Sequence, residues 1–104
     1  MKIPLKVKLG GHTFLINQGQ KVFEEYFKGD DDEHRKAGIT YLGGNLILID
    51  RTNARQQQEE SFLHEIIHQI FFRMGRNKEC EDEQLVQGLA SWLYSFLKDN
   101  KLLK

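Results

Sequence analysis

Three residues near the middle of the chain have types and a spacing that suit metal chemistry: His64, Glu65 and His68 form the pattern H-E-x-x-H. They lie in the segment SFLHEIIHQIFFRM, whose apolar residues recur at helical spacing. Residues four apart lie on one face of a helix, so His64 and His68 can direct two imidazole nitrogens at one ion. Glu65 lies about a hundred degrees further round the helix, where its carboxylate can contact a water on that ion. The pattern therefore predicts a zinc ion held by the two His, with Glu65 as a general base.

The same residues have a simpler interpretation, in which the two His only border the apolar stripe of an ordinary helix. That stripe consists of Leu63, Ile67, Ile70 and Met74, with Ile66 and Phe71 beside it. Because both His fall at the border of the stripe, we expect them to be half-buried at the edge of a cleft. This position favours the metal over the simpler interpretation.

The elements that must position the motif begin with a predicted hairpin. Lys2–Leu9 alternates apolar and polar residues, which predicts a strand with one buried face, and Pro4 suggests that this strand is at a sheet edge. Gly10 and Gly11 provide a turn, and His12–Asn17 is the expected returning strand.

A second predicted hairpin joins Ala37–Leu42 to Leu46–Arg51 through three residues that tolerate positive φ, namely Gly43, Gly44 and Asn45. Its second strand contains the run LILI, which is apolar on both faces. We therefore expect that strand to lie inside the sheet or beneath a helix.

The segment between the hairpins predicts a short helix and a connector, but no metal-binding loop. Gln20–Lys28 has the spacing of a short amphipathic helix. Gly29–Lys36, GDDDEHRK, lacks the alternating oxygen ligands, central Gly and closing Glu of an EF-hand loop, so we expect a solvated connector. His34 in this connector is open to contact with a substrate, but an exposed loop His is the favoured interpretation. His12 is likewise expected to be solvated, since it has no partner at ligand spacing.

The motif itself is predicted to lie on a long central helix from Ala54 to Met74. Thr52 or Asn53 is the expected N-cap, with Gln56 as the capping-box partner of Asn53. Gly75 is the expected C-terminal stop, because glycine readily adopts the left-handed conformation that ends many helices.

A second long helix is predicted at about Glu81–Asp99, after a polar link at Arg76–Cys80. Its broad apolar arc should pack against the motif helix and consists of Leu85, Val86, Leu89, Ala90, Leu93, Phe96 and Leu97. Trp92 and Tyr94 on this helix are interpreted as packing residues rather than catalytic ones.

The start of this last helix offers four acids as a third metal ligand. Glu83 falls at the edge of the apolar arc, so its carboxylate can face the cleft. Glu81 lies on the opposite side, and Glu79 lies in the link. Asp82 has a shorter side chain and a competing role as a helix cap. Cys80 would compete with Glu83 as a ligand, but it is interpreted as a small half-buried thiol.

Composition limits the classes of function. The chain has 104 residues, with 15 Lys plus Arg and 15 Asp plus Glu. This length fits a single domain at 1–104, and the zero net charge argues against general binding to nucleic acid or to anionic membranes. Met1–Leu9 contains no uninterrupted apolar segment that would act as a signal. The single cysteine, Cys80, fits a reducing compartment, so we expect the protein to be cytoplasmic.

The order of these elements resembles a known family. Strands, a helix with HEIIH, a short link and a second helix with an acid near its start, DEQLVQGLASWLYSFLKDN, resemble the minimal gluzincins. The likeness is to the small zincin-like metallopeptidases of phages and prophages, and more distantly to the repressor-cleaving zincins of the ImmA type. It spans roughly residues 38 to 100. The interval between His68 and Glu83 has 14 intervening residues, which is shorter than in the large gluzincins.

The resemblance implies an α+β fold, as a small zincin-like domain with a short, mostly antiparallel sheet, the HExxH helix and a packed C-terminal helix. It implies one zinc ion per chain held by His64, His68 and Glu83, with Glu65 as general base and a peptide or protein as substrate. Our expectation is therefore a zinc metallopeptidase. The alternative is a zinc-binding module on the same scaffold that captures a regulatory partner without cutting it.

Overall fold

The described part of the chain, residues 2–19 and 38–103 of a computed structural model, forms an α+β arrangement of a four-stranded mixed sheet followed by three helices. The elements are β1 Lys6–Leu9, β2 His12–Asn17, β3 Gly38–Thr40, β4 Leu46–Ile49, α1 Arg55–Arg73, α2 Asn77–Glu81 and α3 Glu83–Asp99. The helix expected at Gln20–Lys28 and the connector at Gly29–Lys36, with His34, lie outside the described residues.

Both predicted hairpins are confirmed. β1 pairs antiparallel with β2 through Gly10 and Gly11, whose φ angles of 59° and 83° favour glycine. β3 pairs antiparallel with β4. The strand order is β1-β2-β4-β3, so the two hairpins join through a parallel pairing of β2 with β4. β1 is an edge strand as expected, but it begins at Lys6 rather than Lys2, so Pro4 precedes it.

The centre of the sheet is β4, the strand that contains LILI. Ile47, Leu48 and Ile49 are buried there. On one face, Ile47 and Ile49 pack with Ile16 of β2 and with Phe62 of α1. Leu48 packs with Ile39 of β3 in a separate cluster. The prediction that this strand lies inside the sheet or beneath a helix is confirmed, since both hold, and the contacts of Phe62 fix α1 against the sheet.

The start of α1 differs from the prediction. Its N-cap position is Ala54, which has no side chain to accept a hydrogen bond, so the capping box of Asn53 and Gln56 is wrong. Instead, the buried Asp50 accepts hydrogen bonds from the Thr52 backbone N–H at 3.0 Å and from its hydroxyl at 2.6 Å. This turn directs the chain from β4 into the helix.

The end of α1 is as predicted. Gly75 has a φ of 75° and donates its N–H to the Phe72 carbonyl at 3.0 Å. Arg76 donates to the Phe71 carbonyl at 2.9 Å, which completes a Schellman motif. The chain then reverses so that α3 returns beside α1. No helix in residues 2–19 and 38–103 is long and apolar enough to cross a bilayer.

The predicted link and last helix need two corrections. The link contains the short helix α2, and α3 begins at Glu83 because Asp82 caps it by accepting from the Leu85 N–H at 3.0 Å. The predicted broad packing arc is wrong, because the α3 residues that are buried are Val86, Ala90 and Tyr94. The exposed ones include Leu85, Leu89, Trp92, Leu93 and Phe96. Trp92 is 80% exposed, so its interpretation as a packing residue is also wrong.

The predicted apolar stripe of α1 is corrected in the same way. Ile67 is buried, but Ile70 and Met74 at the end of the stripe are exposed. The helix instead buries a set of polar residues, Glu59, Ser61, Glu65, His68 and Gln69. The face of α1 that meets the rest of the protein is therefore the face that carries the motif.

Candidate metal centre

The side chains of His64, His68 and Glu83 meet between α1 and the first turn of α3. Glu83 places one carboxylate oxygen 3.0 Å from Nε2 of His64 and the other 2.9 Å from Nε2 of His68. The two Nε2 atoms are themselves 3.1 Å apart. Within the described ranges, these three residues are the group of His, Cys and acidic side chains that could hold a metal ion, with their ligand atoms all within 4.8 Å.

The antiparallel packing of α1 and α3 explains this meeting. Val86 and Ala90 of α3 pack against Ile67 of α1, which lies one turn after His64 and directly before His68. Glu83 lies one turn before Val86, so its side chain is brought beside the two imidazoles. It is 64% exposed, whereas the imidazoles are 14% and 11% exposed. The group is therefore enclosed on the side of the His residues and open to solvent on the side of Glu83.

The other acids near the start of α3 are engaged elsewhere or turned away. Glu79 pairs with Arg76, and this contact lowers the pKa of Glu79. Asp82 caps α3, as the sequence suggested. Glu81 is exposed at the end of α2 and does not belong to the group. Of the four candidates, the structure brings Glu83 to the two His.

The outward nitrogen of each imidazole also has a neighbour. Nδ1 of His64 is 2.8 Å from the amide oxygen of Gln87, and Nδ1 of His68 is 3.8 Å from the sulfur of Cys80. An amide oxygen only accepts hydrogen bonds, so this contact favours the tautomer of His64 with its proton on Nδ1. The Nε2 lone pair of His64 then faces the second imidazole and the carboxylate. Such a convergence of electron-rich atoms is favourable when a cation lies among them.

The pKa of His68 is also shifted in the direction that suits a metal ligand. Burial lowers the pKa of His68, and attraction to the Glu83 carboxylate opposes this effect without reversing it. A lowered pKa favours the neutral imidazole, which is the form that binds metals. The donor set thus fits a divalent cation.

Cys80 lies beside the group without joining it. Its thiol is buried and donates to the His68 carbonyl, with the sulfur 3.3 Å from that oxygen. The sulfur lies near Nδ1 of His68 and not near the Nε2 atoms that face Glu83. Burial raises the pKa of this thiol, which disfavours the thiolate that a metal requires.

Glu65 is buried between α1 and the start of β3. Its Cγ would lie 3.4 Å from a Cβ built on Gly38, which would also lie 3.2 Å from the Leu48 carbonyl oxygen. Glycine at this position therefore allows the close approach of β3 to the helix. Glu65 is outside the ligand group, which is the arrangement that a general base requires.

Sequence reasoning missed three contributors to this region: Gly38, Gln69 and Gln87. Gln69 is fully buried and donates its amide to the Thr40 hydroxyl at 2.6 Å and to the Tyr41 carbonyl at 3.0 Å. It therefore ties α1 to β3. The position of Gln87 four residues after Glu83 was a usable signal, because it places both side chains on one face of α3. No comparable signal marks Gly38 or Gln69.

Comparisons of this chain with protein-family models, with curated proteins and with solved structures gave no match.

Proposed function

We propose that this protein is a zinc-dependent metallopeptidase built on a small zincin-like domain. The observation that carries the proposal is the convergence of His64, His68 and Glu83 on one point. The H-E-x-x-H order of the motif supports it, because this order supplies two ligands and a base together. A reducing, cytoplasmic setting is supported by the single, unpaired Cys80.

The donor set suits zinc among the divalent cations. Two imidazole nitrogens and one carboxylate oxygen are the ligands of many catalytic zinc sites, which keep a fourth position open. Zinc bonds of about 2.0–2.1 Å in a tetrahedron separate neighbouring ligand atoms by about 3.3 Å. The two Nε2 atoms, 3.1 Å apart, need only a small expansion to reach that value, and a different oxygen of Glu83 lies beside each of them, at 3.0 and 2.9 Å. Calcium and magnesium favour shells made of oxygen, which the two His do not provide.

The proposed reaction is hydrolysis of a peptide bond. When bound, the zinc ion supplies a water of lowered pKa and polarises the scissile carbonyl. Glu65 would accept the proton of that water as the water oxygen bonds to the carbonyl carbon, and would pass the proton to the amine nitrogen as the C–N bond breaks. Its side chain is buried, with Cγ beside Gly38, the first residue of β3. His64, His68 and Glu83 hold the ion in place throughout.

The proposed substrate site is the outer edge of β3. This strand ends the described sheet, and it lies against α1 through Gln69 and Glu65. An extended peptide added to this edge would form main-chain hydrogen bonds beside the motif helix. A strand edge recognises backbone more than side chains, so we expect broad sequence tolerance with preferences set by neighbouring pockets.

The test begins with metal content. Purified protein should contain one zinc per chain by elemental analysis, and His64→Ala, His68→Ala and Glu83→Ala should each weaken zinc binding at least tenfold, because each loses a ligand. Glu81→Ala is the matched control, since Glu81 is a nearby exposed acid outside the group. It should stay within about threefold of the wild type, as bystander acids do. Equal affinity in His64→Ala and wild type would refute the site.

The second part of the test separates catalysis from binding. Glu65→Gln should keep its zinc but lose peptide hydrolysis by about 10²- to 10⁴-fold, the usual contribution of a general base. A mixed-peptide screen read by mass spectrometry measures this loss. A cleavage rate unchanged in Glu65→Gln would remove the assigned base. A wild type that binds zinc and one protein partner but cuts no peptide would favour the alternative, a binding module, which the exposed apolar residues of α3 also favour.

A further inference from the structure

Three polar residues form a row along α3: Glu83, Gln87 and Ser91, each four residues after the last. Glu83 is in the metal group. Gln87 places its amide oxygen 2.8 Å from Nδ1 of His64, and its amide nitrogen donates to the Ser91 hydroxyl at 2.9 Å. We infer that Gln87 is a positioning residue that keeps the Nε2 lone pair of His64 free for the metal. This inference rests on the proposed function.

The role of Gln87 depends on the orientation of its side-chain amide. The NH₂ group of Gln87 is used by Ser91, which leaves the oxygen directed at His64. Since that oxygen can only accept, Nδ1 of His64 donates, and the neutral ring carries its one proton there. Nε2 is then without a proton and can bind an ion. Outer hydrogen bonds of this kind fix the tautomer and the ring orientation of metal-binding His.

A competing hydrogen bond makes this contact necessary. Nε2 of His64 lies 3.0 Å from a carboxylate oxygen of Glu83, and in the opposite tautomer it would donate a proton to that oxygen. That internal bond would occupy two of the three ligands at once. Gln87 opposes that bond, because its amide oxygen stabilises the proton at Nδ1. Gln87 thus shifts the equilibrium away from the form that is closed by the His64–Glu83 hydrogen bond and towards the form that can bind the metal.

The two His residues differ in this respect. Nδ1 of His68 faces the Cys80 sulfur at 3.8 Å, a long contact to a weak acceptor. His68 is held by burial, since 8% of the residue is exposed and it lies among packed side chains. His64 is the more exposed of the two and lies where α1 faces α3. A side-chain partner therefore matters more for His64.

The test compares three single variants. Gln87→Met keeps the length of the side chain and removes the acceptor, whereas Gln87→Glu keeps an acceptor at the same place. Gln84→Met is the matched control, because Gln84 is an exposed glutamine on the same helix. We expect Gln87→Met to weaken zinc binding about 10- to 100-fold in competition with a chromophoric chelator. Gln87→Glu and Gln84→Met should stay within about threefold of the wild type.

A second measurement excludes a merely structural effect. In the zinc-loaded protein, the Nδ1 proton of His64 should give a downfield NMR signal, because its hydrogen bond slows exchange with water. This signal should persist in Gln84→Met and Gln87→Glu and broaden away in Gln87→Met. The metal-free melting temperatures of the four proteins should agree. Unchanged zinc affinity and an unchanged signal in Gln87→Met would overturn the inference.

The outcomes also separate this inference from the proposed function. If His64→Ala loses zinc while Gln87→Met does not, the metal site stands and the role of Gln87 is refuted. If His64→Ala also keeps its zinc, the proposed function fails, and the inference fails with it. If zinc affinity falls equally in Gln87→Met and Gln87→Glu, the acceptor is not what matters, and the inference is again refuted.

Discussion

The two long helices distribute polarity in opposite ways. α1 buries polar side chains, among them Glu59, Glu65, His68 and Gln69, and exposes Ile70 and Met74. α3 buries a narrow strip of Val86, Ala90 and Tyr94 and exposes five large apolar residues. In an ordinary amphipathic helix, the apolar face is the covered one. Here α1 is covered on the face that carries the H-E-x-x-H motif, and α3 leaves much of its apolar surface in solvent.

The difference shows what makes burial of a polar group tolerable. A buried polar group without a partner costs free energy, whereas a hydrogen-bonded one costs little. The amide nitrogen of Gln69 has partners on β3 and in the turn that follows, although its buried Oε1 has none among the described residues. His68 has Glu83, and Glu59 accepts a hydrogen bond from the Tyr94 hydroxyl. Every one of these partners lies outside α1. On α1, polar residues with partners are therefore buried beside the apolar Phe62 and Ile67.

The comparison between the two helices is tested most directly by substituting two adjacent residues of α1. Gln69→Ala should lower the free energy of unfolding by about 2–4 kcal/mol, because it removes two hydrogen bonds and leaves a cavity at a fully buried position. Ile70→Ala is the matched control. Ile70 is 38% exposed, so its loss should be about 1 kcal/mol or less. Urea titration of the metal-free proteins measures both. A larger loss at Ile70 would mean that the buried polar residue contributes less to stability than the exposed apolar one.

The contact between the helices offers a second, smaller effect. Tyr94→Phe removes a buried hydrogen bond to the Glu59 carboxylate and should cost about 2 kcal/mol at neutral pH. Burial and this hydrogen bond raise the pKa of Tyr94 from 10 to about 12. Because the folded pKa is raised, the stabilisation is complete below pH 10 and is lost as the pH approaches 12.

The free-energy gap between wild type and Tyr94→Phe should therefore narrow between pH 10 and pH 12, as followed by urea titration at each pH. The double variant with Glu59→Gln provides the control. If Tyr94 and Glu59 interact, the two single losses will not add. Additive losses with a constant gap across this pH range would show that the contact contributes nothing to stability.

The smallest effect is expected on the exposed side of α3. Trp92→Gln should change the free energy of unfolding by less than about 0.5 kcal/mol, because Trp92 is 80% exposed, and Leu89→Gln, at a 43% exposed position, by about 1 kcal/mol or less. Val86→Gln places a polar group at a fully buried position and should unfold most of the protein. Thermal unfolding of the three variants tests the contrast. A loss at Trp92 comparable to that at Val86 would show that this side of α3 is covered in solution.

The parts of the fold that the sequence predicted are those specified by neighbours along the chain. Gly10 and Gly11 marked one turn, Gly75 marked the end of α1, and LILI marked a strand covered on both faces. The parallel pairing of β2 with β4 joins residues about thirty positions apart, and no local pattern encodes it. The cap of α1 was also missed. The N-cap position is Ala54, which makes no side-chain cap, and the Asp50 side chain instead holds the preceding turn through Thr52, outside the positions at which a capping box is found.

The residues of the candidate site likewise divide into those that the local sequence predicted and those that it did not. His64 and His68 were placed on one face by the period of a single helix, and Glu83 by the reversal that follows it. The partner of His64 was not found, because the contact with Gln87 depends on how α3 is rotated against α1. Apolar periodicity gave the wrong rotation for α3. Its arc covers more of the helix than the neighbour can bury, so the pattern does not indicate which part is covered.

The location of the three donors has a consequence for how an ion enters and leaves. All three lie on the unit formed by α1, α2 and α3, and the sheet contributes none of them. The apolar contact between the two long helices near the site is a small cluster of Ile67, Val86 and Ala90. If α3 opened partly about the reversal at Gly75, the three donors would be exposed while the sheet stayed folded. Such local opening costs less free energy than global unfolding. An ion held by these donors would then exchange without unfolding of the sheet.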